Sequence, residues 1–153
     1  MAHETDPSAV ESQGTVRVRD ISDIEGDVIV EDDLGVVVRD GTRLSTKVFR
    51  PVEAGEYPVI LALTAYGKDL GPDTYPAPAR YAEHPDFDNG IIEVSPWTTW
   101  EGPDPATWVL RGYVVVYLDV RGYHQSEGDA SVLSPQDADD FYDVIEWAGA
   151  QPW

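Results

Sequence analysis

Between residues 15 and 38 apolar positions alternate with charged ones, in TVRVRD, DVIVEDD and LGVVVRD. A period of two sorts side chains onto opposite faces of a strand, so these stretches predict short, half-buried strands. VVVRDGTRLSTKVFRP is the clearest hairpin. Asp40-Gly41 supplies its turn, because glycine accepts a positive φ, and Pro51 closes its second strand. In YPVILALTAYG the pattern changes: Val59 to Leu63 is apolar without interruption. That predicts a strand covered on both faces rather than an edge strand. YVVVYLDV, residues 113–120, predicts a second strand of the same kind.

SPQDADDFYDVIEWAGA carries the strongest helical pattern. Ser134 can cap it, Pro135 fits the first helical position, and Asp137 lies where a capping-box acid reaches back. Ala138, Phe141, Tyr142, Ile145 and Ala148 share one face at helical spacing. Acids in its first half also suit the positive end of the helix dipole. From Leu70 to Pro105 neither period holds, and the wealth of Pro, Gly, Asp and aromatics predicts a long functional loop. Within it YPAPARYAEHPDFDNG has room for one short helical turn. The order of hairpin, buried strand, long loop, buried strand and helix predicts an α/β fold, a mixed sheet with an antiparallel opening hairpin. Two strands apolar on both faces, with one strong helix to cover them, predict a sheet edge and face in want of cover. Residues 1–14 read as a flexible polar tail and 15–153 as an incomplete α/β domain.

Composition narrows the chemistry. The chain has 153 residues, 42% of them hydrophobic, enough for one domain with a real core. It contains no cysteine, which removes disulfides, thiolate catalysis and cysteine metal sites. No apolar run has the length of a membrane span, and MAHETDPSAVESQG lacks the pattern of a signal peptide, so a cytoplasmic location is expected. Acidic residues outnumber basic ones 29 to 10, a net charge of -19, which repels nucleic acid and anionic membrane. Of the basic residues only Lys47 and Lys68 are lysines. A lysine-poor acidic surface suits a high-salt cytoplasm, and an acidic balance is equally a common solubility device.

GYVVVYLDVRGYHQSEG, 112–128, places Ser126 between potential acid–base partners. A nucleophilic serine on an α/β sheet needs a sharp strand-to-helix elbow with small residues two positions before and after it. Gly128 satisfies that requirement and His124 does not. The predicted strand ends by Val120, no helix begins just after Ser126, and no histidine follows it. Ser126 therefore reads as a loop serine bonded to its own backbone. His84, in EHPDFD, matches no metal-ligand spacing and His3 belongs to the tail, so no metal is expected. Trp97, Trp100 and Trp108 suit either a stacking platform for a ligand or the cap of a core edge.

Three stretches in this order, VVVRDGTRLSTKVFRP, PVILALTAYGKD and GYVVVYLDVRGYHQSEG…DADDFYDVIEWAGAQPW, resemble the N-terminal part of a known family. It is that of the X-Pro dipeptidyl-peptidases and cocaine-esterase-like (CocE/NonD, peptidase S15-type) acyl hydrolases. The resemblance covers about Asp32 to Trp153. It implies an α/β-hydrolase fold, a Ser-Asp-His triad, cleavage of acyl esters or X-Pro peptide bonds, and no cofactor. It also implies that Tyr66 donates its hydroxyl to the oxyanion hole, although Ala65 stands where the family has proline. Asp119 and Arg121 would form a structural ion pair beside the site, with Gly122 and Gly128 making turns. The family's nucleophile elbow follows the equivalent of this helix, so all three triad residues are expected beyond Trp153. The implied partners are a small ester or peptide substrate and the C-terminal portion of the same hydrolase. A competing reading is a non-catalytic remnant that binds a partner through its sheet edge and aromatic loop. Other α/β-hydrolase chemistries, such as dehalogenation or epoxide hydrolysis, fit the opening hairpin and the proline-rich insertion poorly.

Overall fold

The computed structural model describes residues 15–74, 91–130 and 133–153. The tail, His3, His84 and the predicted turn at 75–90 lie outside the described residues. Among the described residues six strands run in chain order: β1 Thr15–Val18, β2 Val28–Val37, β3 Arg43–Pro51, β4 Val59–Thr64, β5 Ile91–Val94 and β6 Val114–Asp119. Two α-helices lie among the described residues, α1 Pro105–Val109 and α2 Pro135–Gly149. Four strands form the main sheet in the order β2-β3-β6-β4, while β1 and β5 pair in parallel as a separate ribbon.

The hairpin forms where its turn residues put it. Gly41 takes φ +88° and its N–H reaches Val38 O at 2.8 Å, so the chain reverses between β2 and β3. Those strands are antiparallel, from Val28 opposite Pro51 to Val37 opposite Arg43, with a bulge between Glu31 and Leu34. β3 runs antiparallel to β6, and β6 runs parallel to β4. β6 is buried at all six positions because it lies between β3 and β4 with both faces covered. Val114, Val116 and Leu118 point to one layer, with Val48, Leu44 and Val144 of α2. Val115 and Tyr117 point to the other, with Phe49 and Val109 of α1. This two-sided burial is the physical basis of the unbroken apolar run.

β4 differs from its expectation. It lies at an edge of the four-stranded sheet, and only Thr64 is fully buried; Val59 to Leu63 are half-buried. Among the described residues β6 is its one pairing neighbour, so an apolar run is not sufficient to make a strand central.

The capping box of α2 is formed as read. Ser134 Oγ accepts from the Asp137 N–H at 3.2 Å, and an Asp137 carboxylate oxygen accepts from the Ser134 N–H at 2.8 Å. Its buried face, however, is turned from the expected one. Asp137, Asp140, Val144 and Ala148 face inward, whereas Ala138 is exposed and Tyr142 and Ile145 remain 55% and 47% exposed. The cause is electrostatic. Arg121 holds Asp140 inward, and Tyr142 lies outside under the Arg39 guanidinium, 5.6 Å from its centre. The predicted loop of Leu70 to Pro105 also contains more order than its composition suggests: β5 lies inside it and α1 begins at its last residue. Asp104 caps α1, accepting from the Ala106 N–H at 3.0 Å. It also binds Ser95 and Arg19, which ties the β1–β5 ribbon to α1. No helix among the described residues is long and apolar enough to cross a membrane.

Candidate active-site edge

The parallel strands β4 and β6 end side by side, Thr64 opposite Asp119. The two loops that leave them, 65–70 and 120–130, carry the predicted site residues Tyr66, Arg121, Gly122 and Gly128, and Asp119 ends β6. In open α/β sheets the carboxyl ends of such strands are where ligand-binding loops converge.

Tyr66 lies two residues beyond the end of β4, 44% exposed. Its backbone is held: the Tyr66 N–H donates to Thr64 Oγ1 at 3.0 Å. Its ring meets Trp100 edge-on, with centroids 6.3 Å apart. Together they help line a cleft of about 140 Å³, with Leu63, Ala65 and Glu101 also in its wall. The cleft walls are tied to each other, since Thr99 Oγ1 donates to Gly67 O at 2.7 Å. Gly67 has to be glycine: φ is +102°, and a Cβ would meet the His124 ring and Leu70 at 3.0 Å. A tyrosine hydroxyl here is a donor on a fixed backbone, the type of group that stabilises developing negative charge.

On the other side of the 65–70 loop lies a second cleft of about 280 Å³, lined in part by Lys68, Asp69, Asp119, His124 and Gln125. Asp119 is 1% exposed. One of its oxygens accepts the Lys68 N–H at 2.7 Å, and the other stands 3.9 Å from Lys68 Nζ. The Lys68 ammonium bonds the Asp69 carboxylate. Burial pushes the Asp119 carboxyl above the ordinary carboxylate range, against the opposing pull of the Lys68 N–H and ammonium.

The expected Asp119–Arg121 ion pair does not form. β6 ends at Asp119 and the chain turns at once, which sends the two side chains to different partners. Arg121 instead grips Asp140 of α2 with two bonds of 2.8 and 2.6 Å, and its third nitrogen reaches Asp40 at 2.9 Å and Thr42 at 2.6 Å. Gly122 and Gly128 adopt φ +71° and +91°, and at Gly122 a Cβ would strike Ala130 N at 2.3 Å.

Ser126 is buried and fully engaged. Its Oγ donates to Asp119 O at 2.7 Å and accepts the Ser45 N–H of β3 at 2.9 Å. A hydroxyl between a carbonyl and an amide has no geometry for nucleophilic attack. The bond to β3, across 81 residues, replaces the purely local bonding expected of a loop serine. His124 takes φ +49° and its ring lies 3.2 Å from Ala65 O. The three tryptophans do not form one platform. Trp97 packs on Phe49 and Trp108 on Tyr113, both capping the core, and only Trp100 lies beside Tyr66. Sequence reasoning missed Thr99 and Lys68; a lysine followed by an acid just after a buried strand was the available signal. Among the described residues no cluster of His, Asp and Glu is suited to a metal ion.

Comparison with known proteins gives this edge its context. The chain is 28% identical over 130 residues to the cocaine esterase of Rhodococcus sp. (strain MB1 Bresler), covering 85% of this chain and 18% of the esterase. A crystal structure of a CocE/NonD family hydrolase from Staphylococcus aureus superposes with a TM-score of 0.70 at 38% identity. That match covers 82% of this chain and 21% of the hydrolase. An aminopeptidase from a marine sediment archaeon, Thaumarchaeota archaeon, shares the fold at 21% identity and a TM-score of 0.53, over 99% of this chain and 23% of that one. The chain therefore spans about a fifth of the length of these relatives, and its mixed sheet is a portion of an α/β-hydrolase fold. The model of the X-Pro dipeptidyl-peptidase (S15) family matches residues 40–153, three quarters of the chain, and the chain belongs to that family of hydrolases.

Proposed function

We propose that this chain is the N-terminal segment of a cytoplasmic serine hydrolase that cleaves acyl esters or X-Pro peptide bonds. In this reading it supplies the oxyanion-hole hydroxyl of Tyr66, while the serine, acid and histidine of the triad come from outside these 153 residues. The observation that carries the reading is the placement of Tyr66. Its ring stands at a cleft, on a loop pinned at Thr64 and Thr99, at the carboxyl end of a parallel strand pair. Such a hydroxyl helps only where charge appears, on the carbonyl oxygen as a nucleophile adds to it. The engagement of Ser126 supports a nucleophile from elsewhere.

The test exchanges the matching segment of the Staphylococcus aureus hydrolase for this chain and assays p-nitrophenyl esters and X-Pro p-nitroanilides. The chimera turns over at least one class, and Tyr66→Phe lowers its kcat by about a hundredfold, the scale of one lost oxyanion donor. The 153-residue chain alone has no turnover. Activity of the chain alone that disappears in Ser126→Ala refutes the assignment, and so does an unchanged kcat in Tyr66→Phe. A soluble, folded chimera without turnover favours the non-catalytic binding module.

A further inference from the structure

Asp119 is an expensive residue to bury. Its carboxylate is almost wholly removed from water, yet among the described residues only one of its oxygens has a hydrogen bond, the one from the Lys68 N–H; Oδ2 has none. The Lys68 ammonium is too far from it, at 3.9 Å, for a hydrogen bond, and is engaged by Asp69 and by Gln125 at 3.4 Å. A buried charge so thinly satisfied does little for stability, since desolvation outweighs one bond. Its position has a different consequence. The amide it grips is two residues from Tyr66, and its own carbonyl is gripped by Ser126, which in turn holds the Ser45 N–H of β3. A continuous series of bonds thus runs from the middle strand β3 through Ser126 and Asp119 to Lys68 and the Tyr66 loop.

We infer that Asp119 is a positioning residue for Tyr66: its carboxylate holds the Lys68 amide, and with it the loop that sets the Tyr66 ring against Trp100 in the wall of the cleft. The inference rests on the oxyanion role of Tyr66 for its catalytic consequence. The 65–70 loop is held from both sides, because Thr99, from the segment between β5 and α1, bonds Gly67 O and the His124 ring of the 120–130 loop backs Gly67. Asp119 supplies the restraint on the backbone just beyond Gly67, at the Lys68 amide. Without it Thr64 and Thr99 still hold Tyr66 N–H and Gly67 O, and Leu70 N–H and the Asp69 carboxylate keep their partners, but the Lys68 amide between them is released.

The first test uses the 153-residue chain and needs no catalysis. In Asp119→Ala the Lys68 amide loses its protection from hydrogen exchange, and the contact between the Tyr66 and Trp100 rings, read as a nuclear Overhauser effect, is lost. In Asp119→Asn, whose carbonyl oxygen still accepts, both are kept in part. Persistence of both signals in Asp119→Ala overturns the inference. If the alanine variant does not fold, the wild-type chain decides: a Lys68 amide that exchanges as fast as an unbonded loop amide overturns it. The second test uses the chimera. Asp119→Ala lowers kcat by about ten- to a hundredfold at unchanged KM, the scale of a misplaced reacting group. The double variant with Tyr66→Phe is no slower than Tyr66→Phe alone, because Asp119 acts through that ring. Multiplying effects overturn the inference while leaving Tyr66 in its role. An inert Tyr66→Phe removes the oxyanion reading instead, and the positioning claim for catalysis falls with it.

Discussion

Replacement of Asp140 by alanine tests whether the Arg121 clasp, rather than apolar packing, sets the orientation of α2. The Arg121 side chain is 8% exposed and that of Asp140 3%, and two bonds of 2.8 and 2.6 Å join them as a fork. Removing one partner of a buried pair costs about 3–5 kcal/mol because the other charge is left unpaired. Here Arg121 keeps Thr42 and Asp40, but the Asp40 side chain is 44% exposed and recovers only part of that. Asp140→Ala therefore destabilises the chain by about 3 kcal/mol, at the low end of that range. By contrast Arg39, 48% exposed, holds Asp143 by a similar fork that solvent and salt screen, so Asp143→Ala costs far less than Asp140→Ala. Urea titrations followed by tryptophan fluorescence, in about 0.1 M and 1 M salt, separate the two. At 1 M the screening length is only about 3 Å, so the Asp143 effect fades while the Asp140 effect survives. Arg121→Met combined with Asp140→Leu regains much of the loss, as apolar replacement of a buried pair usually does. An Asp140→Ala effect below about 0.5 kcal/mol, the scatter of neutral surface changes, refutes the clasp. An effect that fades with salt as Asp143 does refutes it equally.

Three further outcomes are expected. Ser126→Ala destabilises the chain by about 1–3 kcal/mol, because it leaves the buried Ser45 N–H without an acceptor; equilibrium unfolding measures this. Ser134→Ala costs about 1 kcal/mol through loss of half the capping box, read in the same assay. The third concerns pH. Arg121 beside Asp40 holds its carboxyl at about 2, and Arg39 holds Asp143 below its usual range. The folded state then binds fewer protons than the unfolded one, so this stability is present above about pH 4 and lost as pH falls toward 2. Asp119, raised by burial, works in the opposite sense and is relieved by acid. Acid titration of Asp40→Asn shows a shallower loss than wild type across that window; an identical profile contradicts the assignment.

The hairpin, β6 and the capping box of α2 were legible because each rests on local chemistry. A glycine at positive φ, an unbroken apolar run, and a serine three residues before an acid announce themselves. The helix face was misread for a reason that no hydrophobic periodicity carries. Asp140 points inward because an arginine 19 residues earlier needs a partner, and period-based reasoning counts an aspartate as outward. β4 was misread because an unbroken apolar run says nothing of the number of pairing neighbours, and among the described residues β4 has one. β5 and α1 were hidden by a segment rich in turn residues. Their order comes from Asp104, which draws together Ser95, Arg19 and the first turn of α1, and one such hub has no sequence signature. At the site, Tyr66 and the two glycines could be picked out from motif resemblance. The partners of Asp119 and Arg121 could not, since adjacency in sequence says nothing about which way a chain turns after a strand.

The arginines explain how a chain of net charge -19 can still organise acids in its interior. Arg19, Arg39 and Arg121 each join elements far apart in sequence: the ribbon to α1, the hairpin to α2, and the loop after β6 to both hairpin and α2. A planar fork can serve several oxygens at once, which an ammonium on a flexible stem does poorly. The two lysines take the other task. Lys47 and Lys68 converge on Asp69 at the sheet's carboxyl edge, one from β3 and one from the Tyr66 loop. Acidic excess thereby becomes structural at the site: Asp69 unites the two ammonium groups, and Asp119 receives the amide between them and Tyr66. If that arrangement places the loop, then Asp69→Ala should act like a weaker Asp119→Ala, loosening the lysines without releasing the amide. A full loss of Lys68 amide protection in Asp69→Ala would show instead that the ammonium groups, and not the carboxylate under the backbone, hold the loop in place.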